Sequence, residues 1–136
     1  MRESIGAKVC GLEIDKKYWS RKNPFISLQF VDGQKIDSQV LLDSCACRNW
    51  NFALLFCYFN NRLAFDEYIQ VYKGNFVIII GPAANTNRYT DPLPFDFQDN
   101  NEFQLNYQCD FGDNKDILAI YERKIKKLAV WERKLY

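Results

Sequence analysis

Residues 71–82 read VYKGNFVIIIGP, and this stretch favours a fold built on β-strands. Lys73, Gly74 and Asn75 are typical of a turn. The β-branched run that follows them is typical of a strand, and Gly81 with Pro82 ends it. The segment therefore predicts a turn and a buried strand over residues 71–80.

Upstream of this strand, the pattern predicts two strands and a hairpin. Residues 7–14 (AKVCGLEI) predict the first strand, and residues 24–31 (PFISLQFV) alternate apolar and polar side chains as a half-buried second strand does. Asp32 and Gly33 predict a tight turn. The return strand is expected over residues 36–42.

In the middle of the chain, the sequence pattern determines the secondary structure less clearly. Residues 48–61 (RNWNFALLFCYFNN) are apolar on every side, so periodicity does not distinguish a buried strand from a buried helix, and residues 62–69 continue either one. Residues 82–101 contain three prolines and predict a long loop. Residues 102–109 (EFQLNYQC) place Phe103, Leu105 and Tyr107 on one side of a strand.

The C-terminal residues predict an amphipathic helix over 115–135, after a turn at 110–114. Their apolar residues recur mainly at steps of three and four, so they form one stripe. Such a stripe is expected either to close the bottom of the chain's own barrel or to dock against the helices of a protein partner. The predicted partner-binding residues are Ile117, Tyr121, Ile125, Leu128, Trp131 and Leu135.

Composition limits the class of protein. The 136 residues suit one domain, 1–136, and the 48% of hydrophobic residues exclude a disordered chain. The chain has no histidine, which excludes Ser-His-Asp and Cys-His catalysis and two-His zinc sites. The longest apolar run has eight residues, far fewer than the roughly 18–20 of a membrane span. We therefore expect a non-enzymatic protein with no cofactor, no metal and no membrane contact.

The cysteines predict a reducing compartment. The five cysteines are an odd number, and Cys45 and Cys47 do not have the C-x-x-C spacing of zinc or thioredoxin-like sites. We expect mostly free, buried thiols and an intracellular location.

Charge is unevenly distributed along the chain. The net charge is +3 over residues 1–23, −6 over 24–114 and +4 over 115–136. Within the N-terminal part, cations and aromatic rings occur together, which suits phosphate contacts and base stacking. Arg88 and Tyr89 of the long loop extend this prediction. Phe25 of the second strand extends it too, with Ser27 and Gln29 on the same face of that strand. The predicted nucleic-acid-binding residues are Lys16, Lys17, Tyr18, Trp19, Arg21, Lys22, Phe25, Arg88 and Tyr89.

The order of these features resembles the OB-fold proteins that bind single-stranded DNA, especially the small and middle subunits of replication protein A and of the telomeric CST complex. The resemblance rests on Val9 and Gly11 in the first strand, on Phe25–Leu28, on the Asp32–Gly33 turn, and on residues 71–81 before a final strand and helix. It covers most of the chain. It implies an OB-fold-like β-barrel over 7–110, followed by a C-terminal amphipathic helix.

The resemblance also implies a function. It implies a subunit of a complex that binds single-stranded DNA at telomeres or in DNA replication, located in the nucleus. It further implies that the C-terminal helix docks onto other OB-fold subunits.

Two alternatives follow from the same elements. If residues 48–59 and 62–70 are strands, the chain resembles a PH-like barrel with a C-terminal helix, which would bind peptides or phosphoinositides. A galectin-like β-sandwich accommodates the basic C-terminal helix less well. The conformation of residues 48–66 distinguishes the OB-fold from the PH-like fold.

Overall fold

The computed structural model describes residues 9–13, 16–19, 27–30, 36–44 and 49–125. The chain divides into two compact units, residues 1–51 with 66–73 and residues 52–65 with 74–136. The elements of the described ranges are β1 (Cys10–Glu13), α1 (Lys16–Trp19), β2 (Ser27–Phe30), α2 (Ser38–Ser44), β3 (Leu54–Cys57), α3 (Arg62–Val71), β4 (Phe76–Pro82), β5 (Phe103–Phe111) and β6 (Asp116–Arg123).

The first unit contains a parallel pair of strands. Cys10 of β1 lies opposite Ser27 of β2, and Glu13 lies opposite Phe30. Parallel neighbours require a crossover rather than a tight turn, and α1 lies in that connection. The two strands predicted here from the sequence are confirmed, but their parallel pairing differs from an OB-fold, which is an antiparallel barrel.

Helix α2 replaces the predicted return strand. Its N-cap is Asp37, whose Oδ1 accepts a hydrogen bond from the backbone N of Val40 at 2.9 Å. At its first residue, Ser38 Oγ donates to the carbonyl of Val71 at the end of α3, at 3.0 Å. The strand predicted over residues 36–42 is therefore wrong, because the Asp37 side chain starts a helix.

The second unit contains a four-stranded mixed sheet in the order β3-β4-β6-β5. β3 and β4 are parallel, and α3 lies in the connection between them. β6 is antiparallel to both β4 and β5. The prediction of a β-rich fold is confirmed, whereas the strands of the described ranges form two sheets instead of one barrel over 7–110.

One face of this sheet, which we call the inner face, is buried under aromatic rings. Phe97 packs against Phe65 at 5.5 Å and against Tyr121 at 4.9 Å between ring centroids. Phe65 in turn lies 4.6 Å from Phe56. These edge-on and tilted contacts are the favourable geometries for aromatic pairs. The buried apolar strand residues of the inner face are Phe56, Val77, Ile79, Phe103, Ile117, Ala119 and Tyr121.

The opposite face, which we call the outer face, is also apolar. The strand registers align its side chains in two rows across all four strands. The first row is Leu55, Ile78, Ile120 and Tyr107, and the second row is Cys57, Ile80, Leu118 and Cys109. Leu55 is 47% exposed and Tyr107 is 54% exposed, so this face is far less buried than the inner face.

A bulge interrupts β5. Leu105 pairs with Tyr121 and Tyr107 pairs with Ile120, so Asn106 is an extra residue without a place in the register. After β5 the chain turns at Gly112, whose φ of 72° suits glycine, and β6 begins at Asp116. The strand predicted over 102–109 is confirmed, but Tyr107 does not share a face with Phe103 and Leu105.

The predicted C-terminal helix is wrong over Asp116–Arg123, which is strand β6. Both faces of β6 carry apolar residues, so its two-residue alternation was hidden in the sequence. Residues 126–136 lie outside the described residues. The middle segment, residues 48–66, forms β3 and the start of α3, which matches neither the OB-fold nor the PH-like expectation.

Candidate functional site

The carboxyl ends of β3 and β4 lie at the same edge of the sheet because these strands are parallel neighbours. We call this edge the carboxyl edge, and it comprises residues 58–61, residues 83–89 and Asp116. Asp116 belongs to it because it pairs with Pro82, the last residue of β4. Ligands of open α/β sheets bind outside the carboxyl ends of the strands. The carboxyl edge is therefore the candidate site of the second unit.

Tyr58 follows β3 and has an uncommon backbone conformation. Its φ is 51°, in the left-handed region, while its backbone N donates to the carbonyl of Ile80 at 2.8 Å. A non-glycine residue in this region costs about 1–3 kcal/mol, and such residues cluster at functional sites. The Tyr58 side chain is 41% exposed, so its ring is accessible at the carboxyl edge.

Arg88 joins the three parts of the carboxyl edge. Its Nη1 donates to Tyr58 Oη and to Asp116 Oδ1, both at 2.7 Å. Its Nη2 donates to the carbonyl of Asn114 at 2.5 Å. Tyr58 Oη itself donates to Asp116 Oδ1. Residues 58, 88 and 116 are far apart in sequence, so the fold alone assembles this hydrogen-bonded cluster.

The cluster fixes the protonation states of its members. Hydrogen bonds from Tyr58 and Arg88 lower the pKa of Asp116, so its carboxylate stays charged. The bond to that carboxylate raises the pKa of the Tyr58 phenol, which therefore stays protonated. The bond to Asp116 also raises the pKa of Arg88. At neutral pH the edge thus presents a cation, a neutral phenol and an anion.

The chain that carries Arg88 is held by short-range contacts. Thr86 Oγ1 donates to the carbonyl of Ala83 at 2.9 Å. Further along, Gly81 packs so closely that a Cβ there would lie 2.9 Å from Thr90 Oγ1 and 3.3 Å from Pro94 Cδ. Thr90 is buried and donates to the carbonyl of Pro92 at 3.0 Å. Residues 83–94, which belong to the long loop predicted over 82–101, therefore form a connection held beside β4.

The structure places the predicted nucleic-acid residues in two units. Lys16–Trp19 form α1 in the first unit, where Tyr18 is 52% exposed and Lys17 is also exposed. Arg88 and Tyr89 belong to the carboxyl edge of the second unit, and Tyr89 is 64% exposed. Arg21, Lys22 and Phe25 lie outside the described residues, while Ser27 and Gln29 belong to β2.

The predicted partner-binding stripe is not a surface in its first part. Ile117 and Tyr121 are buried on the inner face, where Tyr121 Oη donates to the carbonyl of Pro94 at 2.6 Å. These two residues are therefore core residues, which corrects the sequence-based assignment. Ile125 follows β6 and is exposed. Leu128, Trp131 and Leu135 lie outside the described residues.

The cysteines differ from one another. Cys57 and Cys109 are free, whereas Cys10 is disulfide-bonded, which corrects the expectation of free thiols at that position. Partial burial, together with the negative charge of Asp116, raises the pKa of the Cys57 thiol. Cys57 therefore lacks the lowered pKa that activates a nucleophile. In the part of the chain that the structure describes, no group of three or more Cys, Asp or Glu side chains is arranged to hold a metal ion.

Sequence reasoning missed Tyr58 and Asp116. Tyr58 stood inside an apolar run, and Asp116 fell within the predicted C-terminal helix. The signal that pointed to the carboxyl edge was the change from the apolar run to polar residues at Asn60 and Asn61, but it is informative only once β3 and β4 are known to be parallel. Arg88 was identified, although its two partners were not.

Comparison with known proteins gave no match: no protein family and no curated protein matches the sequence, and no solved structure matches the fold. No helix of the described ranges is long and apolar enough to cross a membrane. Any functional conclusion therefore rests on the geometry of the carboxyl edge itself.

Proposed function

We propose that the carboxyl edge binds a nucleotide, with the base stacked on an exposed tyrosine ring and the phosphate held by Arg88. One observation carries this proposal: Arg88 stands at the carboxyl end of a parallel β–α–β unit, bonded to exposed Tyr58 and followed by exposed Tyr89. Parallel strands joined by a crossover helix are the usual support of nucleotide sites in α/β proteins.

The tyrosine rings suit a nucleobase. A base stacked on an aromatic side chain gains about 1–3 kcal/mol. Tyr58 also keeps its phenol protonated, so its ring remains neutral and does not repel a phosphate. Asparagine amides at positions 60, 85 and 87 are exposed and offer both donors and acceptors to a base edge.

Arg88 suits a phosphate. A guanidinium has five N–H donors, and it pairs with phosphate oxygens in the same forked geometry as with a carboxylate. In the structure this position opposite Arg88 is taken by Asp116 at 2.7 Å. A bound phosphate would share or replace Asp116 as the partner of the cation, so ligand binding and the Arg88–Asp116 bond are expected to compete.

A binding role is favoured over catalysis. The pKa values of Tyr58 and Cys57 are both raised, so neither side chain is prepared to act as a nucleophile or base near neutral pH. The anion of the cluster, Asp116, is held by two hydrogen bonds rather than directed at an open position. We therefore propose a non-enzymatic nucleotide-binding module.

The test is the binding of fluorescently labelled ATP, followed by fluorescence anisotropy with the full chain. Wild-type protein is expected to bind, and Arg88→Ala is expected to weaken binding about 10-fold, because it removes a charge-assisted phosphate contact. Adenosine without phosphate should compete poorly with labelled ATP. Circular dichroism of each variant checks that the fold is retained.

The matched control is Lys124→Ala. Lys124 carries the same charge but follows Arg123 at the other end of β6 from Asp116, so its loss should change the affinity less than about twofold. Equal effects of Arg88→Ala and Lys124→Ala would show non-specific charge attraction and contradict the site. Absence of ATP binding by the wild-type protein would refute the proposal.

Single-stranded DNA, the partner inferred from the sequence, is the second candidate because α1 presents Lys17 and Tyr18 to solvent. A labelled oligothymidine distinguishes it from the first candidate. If DNA is the ligand of α1, Lys17→Glu with Tyr18→Ala should weaken oligothymidine binding and leave ATP binding unchanged, and the affinity should fall with salt. The telomere or replication role and the nuclear location stay predictions that depend on this second candidate.

A further inference from the structure

The outer face of the four-stranded sheet is an apolar surface that the proposed nucleotide site does not use. Its two rows of side chains cross all four strands, and both ends of the first row, Leu55 and Tyr107, are about half exposed. All-parallel sheets are normally covered on both faces, and β3 and β4 form the parallel pair of this mixed sheet. Apolar patches of this kind mark a surface that another element covers.

The charges on the outer face have one sign. Its charged strand residues are Glu122 and Asp116, which stand at opposite ends of β6, and the other strand positions of this face are apolar or neutral. Asp116 is paired with Arg88 at the carboxyl edge, so Glu122 is the charge that faces an incoming element. A basic covering element would therefore complement this charge.

Residues 126–136 (KKLAVWERKLY) have that chemistry. They carry four cations and one anion, and their apolar residues Leu128, Trp131 and Leu135 recur at steps of three and four. As a helix, eleven residues would span about 16 Å. Four strands span about 14 Å from first to last, so the segment is long enough to cross the whole sheet.

The chain also delivers this segment to one end of the outer face. β6 ends at Arg123, and Lys124 N continues the pairing with β5 by donating to the carbonyl of Glu102 at 2.7 Å. The chain therefore leaves the sheet beside Glu122, at the end of the outer face opposite Asp116. A helix of three turns is marginal in isolation, so it requires a packing surface of this kind.

We propose that residues 126–136 dock as a basic amphipathic helix across the outer face of the same chain. Leu128, Trp131 and Leu135 then cover the two apolar rows, and the lysines at 126 and 127 lie near Glu122. This docking is independent of the proposed nucleotide site, since it uses the outer face rather than the carboxyl edge.

Two free thiols report on the docking. Cys57 and Cys109 both lie in the second row of the outer face, on its two edge strands. In the full chain, iodoacetamide should alkylate them slowly, as read for each cysteine by peptide mass spectrometry. Truncation after Ile125 should increase both rates at least about fivefold, because the cover is removed.

Substitutions make the test independent of truncation. Trp131→Glu with Leu135→Glu should reproduce the faster alkylation in a chain of full length. Arg133→Glu is the matched control, because it changes the charge of the same segment on the side of the helix opposite the apolar stripe, and it should keep both thiols protected. Thermal melts followed by circular dichroism confirm that each variant is folded.

Light scattering coupled to size exclusion identifies the occupant. Protected thiols in a monomer support the proposal. Protection that occurs only in a dimer and is lost on dilution would overturn it in favour of the segment of a second copy. Rapid alkylation in the full chain, equal to that of the truncated chain, would also overturn it and leave the outer face to another protein.

Discussion

The two faces of the four-stranded sheet are built from similar residues and yet have different environments. On the inner face, Phe97 connects the rings of Phe65, Phe103 and Tyr121 into one buried cluster. On the outer face, Leu55 and Tyr107 are about half exposed. The difference shows that apolar composition alone does not make a core. The element that packs against a face decides whether its residues stabilise the fold or form a binding surface.

The largest expected effect compares two phenylalanines. Phe97→Ala should lower the free energy of unfolding by about 3–5 kcal/mol, because it leaves a cavity in the aromatic cluster. Phe111→Ala, at an exposed position on the outer side of β5, should cost less than about 1 kcal/mol. Urea unfolding measures both. Comparable losses at the two positions would remove the distinction between the faces.

A smaller effect is expected from Gly81, a buried residue in β4. Gly81→Ala should destabilise the protein by about 1–3 kcal/mol, because the new methyl group would meet Thr90 and Pro94 at 2.9 and 3.3 Å. Thr90→Ala removes the nearer atom. A double-mutant cycle should therefore show that the second substitution recovers part of the loss, and additive losses would argue that Thr90 is not the obstacle.

The smallest expected effect concerns Asp116, the acidic residue where the outer face meets the carboxyl edge. Its folded-state pKa lies below the ordinary value of 3.8, so its ion pair contributes stability above pH 3.8 that is lost as pH falls through the lowered pKa. Wild-type protein should be more stable than Asp116→Asn at neutral pH, and the two should converge in strong acid.

Chemical denaturation across pH measures this convergence. Asp113→Asn, in the neighbouring turn, controls for the loss of one surface charge. A stability difference between wild type and Asp116→Asn that stays constant down to the most acidic pH would mean that the carboxylate does not titrate with the fold.

The strands of this fold could be predicted where their two sides differ in polarity or where a turn bounds them. The β-branched run before Gly81 identified β4, and the alternation after Glu102 identified β5. β6 was mistaken for a helix because Leu118 and Ile120 are apolar like their inward neighbours, so no two-residue period was visible. The direction in which the strands pair could not be predicted either, since no feature of the local sequence distinguishes a parallel from an antiparallel partner.

The candidate site was predictable only in part, for a related reason. Arg88 was recognisable as a cation next to an aromatic residue in a long connection. Tyr58 and Asp116 became meaningful only when the parallel pairing of β3 and β4 placed them beside Arg88. The site depends on contacts between residues about 30 positions apart, and these contacts follow from topology, which the sequence pattern had assigned to a different fold.

The extra residue Asn106 in β5 changes which side of the strand each later side chain lies on. Before Asn106, Phe103 and Leu105 point inward. After it the two sides are exchanged: the outward residues are Tyr107, Cys109 and Phe111, and the inward residues are Gln108 and Asp110. If Asn106 had a regular place in the register, the outer side of β5 would read Asn, Gln, Asp in place of Tyr, Cys, Phe. The bulge thus gives the outer face apolar residues of β5 instead of polar ones, and deletion of Asn106 would leave them there, because Tyr107 would then follow Leu105 directly.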